Sequence, residues 1–341
     1  MTAPLTLAER VRSGDARAIA RAISLIEDET ASAAGLVRDI FPHTGRTYLI
    51  GVTGPPGAGK STLVDRLTAV TRAGGDTVGV ICVDPTSPFT GGAILGDRLR
   101  MQAHAHDEQV FIRSMATRGH MGGLARATSD AALVLDAAGK SLVIIETVGV
   151  GQDEVDIVRT ADISIVVLVP GTGDDVQALK AGIMEIADIF VVNKCDRDGA
   201  DRMVSSIESN LALQAYGDGE WRPPIIKTEA TTGHGVPELW ATIQQFRAHS
   251  EQLASSGPEV ASGFSANVAS GFSRTSRTRR LKARNEFRLR DLLTHRFMEL
   301  VERDLLAAGE FDALVARIAA REVDPYTAAS DILSRALKSK P

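Results

Sequence analysis

The run Gly54-Pro55-Pro56-Gly57-Ala58-Gly59-Lys60-Ser61 has the residue types and spacing to hold a phosphate chain. Its glycines let successive backbone N–H groups curl around phosphate oxygens at the positive end of a helix dipole. Lys60 is placed to reach the β- and γ-phosphates, and the Ser61 hydroxyl to ligate Mg²⁺. An ordinary glycine-rich turn would share the composition, so the flanks decide. Tyr48 to Val52 reads as a buried strand, and Ser61 to Ala73 as a helix with Leu63, Leu67 and Val70 on one face. Strand, glycine loop and helix is the order that binding a nucleoside triphosphate requires.

A second tetrapeptide, Asn193-Lys194-Cys195-Asp196, follows the apolar run Ile189 to Val192. An Asp carboxylate here accepts two hydrogen bonds from the guanine ring N–H and exocyclic amine. Adenine offers neither donor and would leave the carboxylate unpaired, a discrimination of about 10⁴ or more. Asn193 would brace the phosphate loop and the Lys194 stem would lie over the base. Ile225-Ile226 leads to Glu229-Ala230-Thr231, where a backbone N–H is placed to meet the guanine carbonyl. The nucleotide is read as GTP or GDP.

The third chemical feature is Ser141 to Gln152, a buried strand that delivers Glu146 to its tip before Gly149 and Gly151. Glu146 suits support of Mg²⁺, and the Gly149 N–H suits sensing the γ-phosphate. Asp84 ends the strand 78–83 and is placed to hold a metal-bound water, or simply forms the turn before Pro85. Asp97, Arg98 and Arg100 lie in a glycine-flanked stretch, 91–101, that is either ordered by a ligand or a solvated loop. His104 and His106 form H-x-H, a spacing that does not face one ligand from a helix. Met115 to Gly123 reads as another glycine-rich loop, and 171–180 as a third moving segment.

The elements that must position these groups alternate from residue 46 onward as strands and helices, predicting a parallel α/β sheet wrapped by helices. Residues 6–28 carry an amphipathic helical pattern broken at Ser13-Gly14-Asp15, either packed on the main domain or offered to a partner. Residues 254–279 are rich in Ser, Gly and Ala and repeat V-A-S-G-F-S, which predicts a flexible linker. A basic run from Arg274 to Arg284 follows, either solvated or facing an acidic partner. Leu289, Leu292, Leu293, Phe297, Leu300, Val301 and Leu305 then trace an apolar helical stripe, with two further helical patterns behind it. Such helices cover a flank or form a dimer surface. The 341 residues are 44% apolar and 24% charged, enough for a core, and the net charge of −5 gives no reason to expect nucleic-acid binding. Two cysteines make neither a disulfide framework nor a metal pattern, and no apolar run is long enough to span a membrane, so a cytoplasmic location is expected.

With these residues assembled, the chain resembles the MeaB/ArgK family of P-loop GTPases, companions of adenosylcobalamin-dependent acyl-CoA mutases such as methylmalonyl-CoA mutase. The telling stretches are G-V-T-G-P-P-G-A-G-K-S-T at 51–62, V-D-P-T-S-P at 83–88 and T-G-G-A-I-L-G-D-R-L-R-M at 90–101. E-T-V-G-V-G-Q at 146–152 and N-K-C-D at 193–196 complete them. The resemblance implies a P-loop NTPase fold, a mostly parallel sheet flanked by helices with helical N- and C-terminal extensions. It implies a helical extension over 1–45, a GTPase domain over 46–250, a flexible basic linker over 251–285 and a dimerisation arm over 286–341. Nucleotide contacts carry over to Gly54, Pro55, Pro56, Gly57, Ala58, Gly59, Lys60, Ser61, Thr62 and Gly149, and to Asn193, Lys194, Asp196, Glu229, Ala230 and Thr231. The magnesium site falls on Ser61, Asp84, Asp97 and Glu146, and catalysis on Lys60, Asp97, Arg98, Glu146 and Lys180. It also implies a homodimer that uses GTP to gate cobalamin loading of a mutase and to protect or reactivate it.

Three departures from the family pattern stand out. Lys180 is followed by Ala181 rather than a second lysine, Glu229-Ala230-Thr231 replaces S-A-L, and the linker is long and basic. No Gln directly follows the glycine of E-T-V-G, so the water-positioning group is expected from a partner, or from Arg98 and Arg100 in cis. A metal-delivery GTPase for a nickel enzyme, a transport-linked kinase and a nucleotide-bound scaffold are the competing readings.

Overall fold

The computed structural model describes residues 4–84, 101–104, 106–116, 123–147, 161–171, 186–217, 219–255, 277–307 and 309–338. Seven strands form its core: β1 (Tyr48–Thr53), β2 (Val78–Asp84), β3 (Val110–Ala116), β4 (Leu142–Glu146), β5 (Ile163–Leu168), β6 (Ile189–Asn193) and β7 (Ile225–Thr228). They lie in the order β3-β2-β4-β1-β5-β6-β7, and every neighbouring pair is parallel. The doubly covered sheet explains the near-continuous apolar runs in the sequence. Because all strands point one way, their C-terminal tips share an edge, which gathers Gly54, Asp84, Glu146, Asn193 and Glu229 from distant parts of the chain.

Helix α4 (Lys60–Ala73) follows β1 directly and buries Leu63, Val64 and Leu67 against one face of the sheet. Helix α7 (Val236–Ser255) packs on the same face through Leu239, Ile243 and Phe246. The other face is covered largely by the N-terminal helices α1 (Leu7–Arg12), α2 (Ala16–Glu27) and α3 (Ala33–Ile40) together with α5 (Gly123–Ala137). Of the two readings for residues 6–28, packing on the main domain is the one seen. Ile19, Ile23 and Ile26 meet the layer that contains Ile81, Val83, Val143 and Ile145. The break at 13–15 is a helix start, since Asp15 Oδ1 accepts the N–H groups of Arg17 and Ala18. Helix α6 (Ala200–Leu211) covers β5 and β6 with Met203, Ile207 and Leu211.

Two elements differ from the sequence reading. Met115 and Ala116 finish β3, and Gly123 opens α5, so only 117–122 of the expected loop lies outside the described residues. The strand escaped notice because Arg113 interrupts its apolar run. Its guanidinium pairs with Glu27 and donates to Ser24 Oγ at 3.1 Å, both on α2. Helix also occupies both ends of the expected 251–285 linker, since α7 continues to Ser255 and α8 (Arg277–Leu300) begins at Arg277. Arg and Lys are good helix formers, so the basic run can be helical even though like charges in its first turns cost some stability.

Residues 285–341 form a second unit. It holds the rest of α8, a wide helical turn (Val301–Leu305), α9 (Glu310–Ala319) and α10 (Pro325–Lys338). Val301, Leu306 and Ala328 are its buried apolar residues, and Arg335 Nη1 donates to Glu310 Oε1 at 2.8 Å.

Candidate functional site

At the shared strand edge the backbone of the 54–59 loop takes a path that side chains would obstruct. Gly54 has φ +143°, and a Cβ there would lie 2.0 Å from the Val167 carbonyl oxygen on β5. Gly59 has φ +85°, and a Cβ there would meet Asn193 Nδ2 at 2.5 Å. Both positions therefore demand glycine for approach as well as conformation. The loop ends at the first turn of α4, whose unsatisfied amides and dipole favour an anion.

Two functional side chains leave that turn in a buried position. The Lys60 ammonium donates to the carbonyls of Gly54 at 2.7 Å and Pro55 at 3.1 Å, inside the loop it serves. Ser61 Oγ donates to Glu146 Oε1 at 2.6 Å, and Glu146 is only 5% exposed. A hydroxyl and a carboxylate, both hard oxygen donors, thus meet beside the phosphate loop. That set fits Mg²⁺, which takes one or two protein oxygens and fills its remaining positions with phosphate and water. Asp84 is the last residue of β2, one strand from β4 on this edge. Asp97, Arg98, Arg100, Gly149 and Lys180 lie outside the described residues.

The base side is built by β6 and β7. Asn193 is 2% exposed and its amide makes three hydrogen bonds: Nδ2 donates to the Ala58 carbonyl at 2.8 Å. Its Oδ1 accepts from Thr228 Oγ1 at 3.0 Å and from the Ala230 N–H at 3.1 Å. One side chain therefore ties the phosphate loop to the 228–230 turn. Lys194 adopts φ +57°, a costly conformation for a residue with a side chain, and its Nζ donates to the Gly57 carbonyl at 2.7 Å. The Cys195 N–H donates to the Thr228 carbonyl at 3.1 Å, closing the turn that leaves Asp196 exposed. In the 229–231 turn the Glu229 N–H donates to the His234 carbonyl and Glu229 Oε1 accepts from Thr231 Oγ1.

Sequence reasoning missed one contact here. Arg66, on α4, donates from Nε to the Ala230 carbonyl at 3.3 Å and from Nη2 to the Thr231 carbonyl at 2.9 Å. No linear signal marks it, because it belongs to no motif and its partners are far along the chain. His104 turns to Asp65, with Nε2 3.2 Å from Oδ1, instead of joining a metal cluster. Among the described residues no group of three His, Cys, Asp or Glu side chains converges as a metal site.

Comparison with known proteins agrees with this geometry. The family model described as methylmalonyl Co-A mutase-associated GTPase MeaB matches residues 19–262. A Pyrococcus abyssi protein carrying a GTPase name is 48% identical over 331 residues, covering 96% of this chain and 95% of its own. A mouse mitochondrial protein named as a methylmalonic aciduria type A homolog is 37% identical over 214 residues, 62% of this chain and 51% of its own. The crystal structure of an LAO/AO transport system kinase superposes with a TM-score of 0.69 at 26% identity, covering 98% of both chains.

Proposed function

We propose, from the premise that this chain belongs to the MeaB family of methylmalonyl-CoA mutase-associated GTPases, that it couples GTP hydrolysis to the care of an adenosylcobalamin-dependent acyl-CoA mutase. In this reading GTP binding and hydrolysis gate cofactor loading and protect or reactivate the mutase. The observation that carries the GTPase part is the Asn193 amide, which locks phosphate loop and guanine turn into one rigid frame. The partner is supported by the family's own description.

Lys60 takes the charge of the β- and γ-phosphates when it leaves its loop carbonyls. Ser61 and Glu146 would hold Mg²⁺, with Asp84 and Asp97 serving the same site, and the bound metal would supply charge neutralisation for phosphoryl transfer. Asp196 reads the guanine edge and Lys194 covers the base, with the 229–231 turn beside the 6-carbonyl. Arg98, Lys180 and the Gly149 N–H serve the γ-phosphate side. Turnover by the protein alone is slow, and contact with the mutase completes the site.

The test is GTP turnover by the purified protein, alone and with an adenosylcobalamin-dependent acyl-CoA mutase from the same genome. Stimulation on the order of 10³ is expected if the partner supplies or orders a polar group at the transferring phosphoryl. The stimulation should vanish in Lys60→Ala. Unchanged turnover with every such mutase would count against the partner.

The 285–341 unit supports a homodimer. Leu289, Leu293, Phe297 and Leu300 on α8 and Phe311 and Val315 on α9 are all at least 40% exposed, a cost that a second copy would remove. Light scattering should give twice the chain mass, and Leu293→Glu with Phe297→Glu should return a monomer with its GTP binding intact. A monomeric wild-type protein at working concentration would refute the dimer.

A further inference from the structure

We infer that Arg66 is a positioning residue for recognition of the guanine 6-carbonyl, fixing the 229–231 turn from the helix that carries the phosphate-binding Lys60 and Ser61. The inference rests on the reading above that this turn faces the base. Its ground is a division of labour within the turn. Asn193 holds the donor side, accepting from the Ala230 N–H, while Arg66 holds the acceptor side with two donors from one planar guanidinium. A fork of this kind fixes direction as well as distance, which a single ammonium cannot.

The turn is closed on Glu229, whose carbonyl accepts from the Thr232 and Gly233 N–H groups and whose N–H donates to the His234 carbonyl, and Arg66 holds the 230 and 231 carbonyls that those bonds do not reach. The Ala230 methyl is buried in the cluster containing Leu63 and Val64 of α4, but a methyl fixes depth and not rotation about the chain. Glu229, at the position where the family pattern has a serine, spends its carboxylate on the Thr231 hydroxyl. Rotation of the peptide between 230 and 231 would tilt the Thr231 N–H away from the base, and hydrogen bonds weaken steeply once they bend. Arg66 opposes that rotation. It also makes α4 a common ruler, with Lys60 and Ser61 at its first turn setting the phosphates and Arg66 setting the base.

Arg66 is itself exposed and its Thr231 contact lies at the surface, so water can replace the guanidinium there when it is removed. Arg66→Met should therefore fold normally, with a melting temperature within about 3 °C of wild type. Affinity is to be measured for GDP, for 6-thioguanosine diphosphate, which weakens the acceptor at position 6, and for IDP, which lacks the 2-amino group but keeps the 6-carbonyl. Wild type should prefer GDP over the thio analogue. Arg66→Met should lose about tenfold on GDP and far less on the thio analogue. The GDP-to-IDP ratio, set by Asp196, should not move, and Arg66→Lys should fall between the two proteins. Equal losses on all three nucleotides, or none, would overturn the inference, as would a wild type that binds GDP and its thio analogue alike. A wild type that binds ADP as well as GDP would instead remove the guanine reading on which it rests.

Discussion

Asp196→Asn should lower affinity for GDP by about 10⁴ and make a xanthine nucleotide the better ligand. The geometry gives the reason. The left-handed turn at Lys194 and the Cys195 N–H bond to Thr228 present residue 196 at the exposed tip of β6. In the proposed binding mode a carboxylate there accepts both guanine donors, the ring N–H and the 2-amino group. Asn sets one N–H against another, so a bond is lost and a desolvated donor is left facing a donor. Xanthine has a carbonyl where guanine has the amine, and the new amide can donate to it. Because Asp196 makes no buried contact, the variant should melt like wild type. Equilibrium titration with GDP and XDP decides the matter. Unchanged GDP affinity would mean that another group reads the base.

The largest loss of stability is expected from Arg280→Met. Arg280, near the start of α8, is 7% exposed and donates to both Asp188 oxygens at 2.8 and 2.7 Å and to the Asp162 carbonyl at 3.0 Å. Its guanidinium also lies over the Phe246 ring, 5.0 Å from the centroid. Burial by itself would depress the pKa of Arg280, but Asp188, Tyr48 and Asp162 together outweigh it and the net displacement is upward. The carboxylates are engaged in turn: Asp188 accepts the Ser164 N–H at 2.8 Å and Asp162 the Leu49 N–H at 2.9 Å. Close by, burial first and these two carboxylates second push the Tyr48 phenol upward.

Methionine fills the space but strips Asp188 of its counter-charge, and stranding a buried charge of this kind costs about 3–5 kcal/mol. At about 2–4 °C per kcal/mol, the melting point should fall by roughly 10 °C. Adding Asp188→Asn should recover part of the loss at neutral pH. A melting point within about 2 °C of wild type at pH 7 would show that the pair contributes little.

The sheet and the glycine loop at its edge were legible from the sequence because their demands are local. A phosphate loop needs its glycines and lysine within eight residues, and a strand buried on both faces needs an unbroken apolar run. Glu146 and Asp196 each stand at the end of such a run. Strand β3 was not legible, because Arg113 breaks its pattern and its justification lies on α2, in Glu27 and Ser24. Arg66 belongs to no motif, and Arg280 was legible only as part of a basic run from Arg274 to Arg284 that could be solvated or face an acidic partner. Their partners are 164 and 92 residues away, and an arginine on a helix reads as a solvated charge until the fold brings its carbonyls or carboxylate to it. The expectations for Asp97, Arg98, Gly149 and Lys180 fall outside the described residues.

The covering of one sheet face by α1 to α3 has a consequence for synthesis. Ile19, Ile23 and Ile26 are made early, yet the layer they cover includes Val143 and Ile145 of β4, which is complete only at Glu146. At about 5–20 residues per second, the ribosome takes on the order of ten seconds to deliver that strand. Until then the apolar faces of the first helices have only part of their native surface to bury against, namely one another and the earlier residues Leu49, Ile81 and Val83. The nascent chain must therefore be sheltered by the cell, or hold its N-terminal helices loosely collapsed, until the sheet arrives.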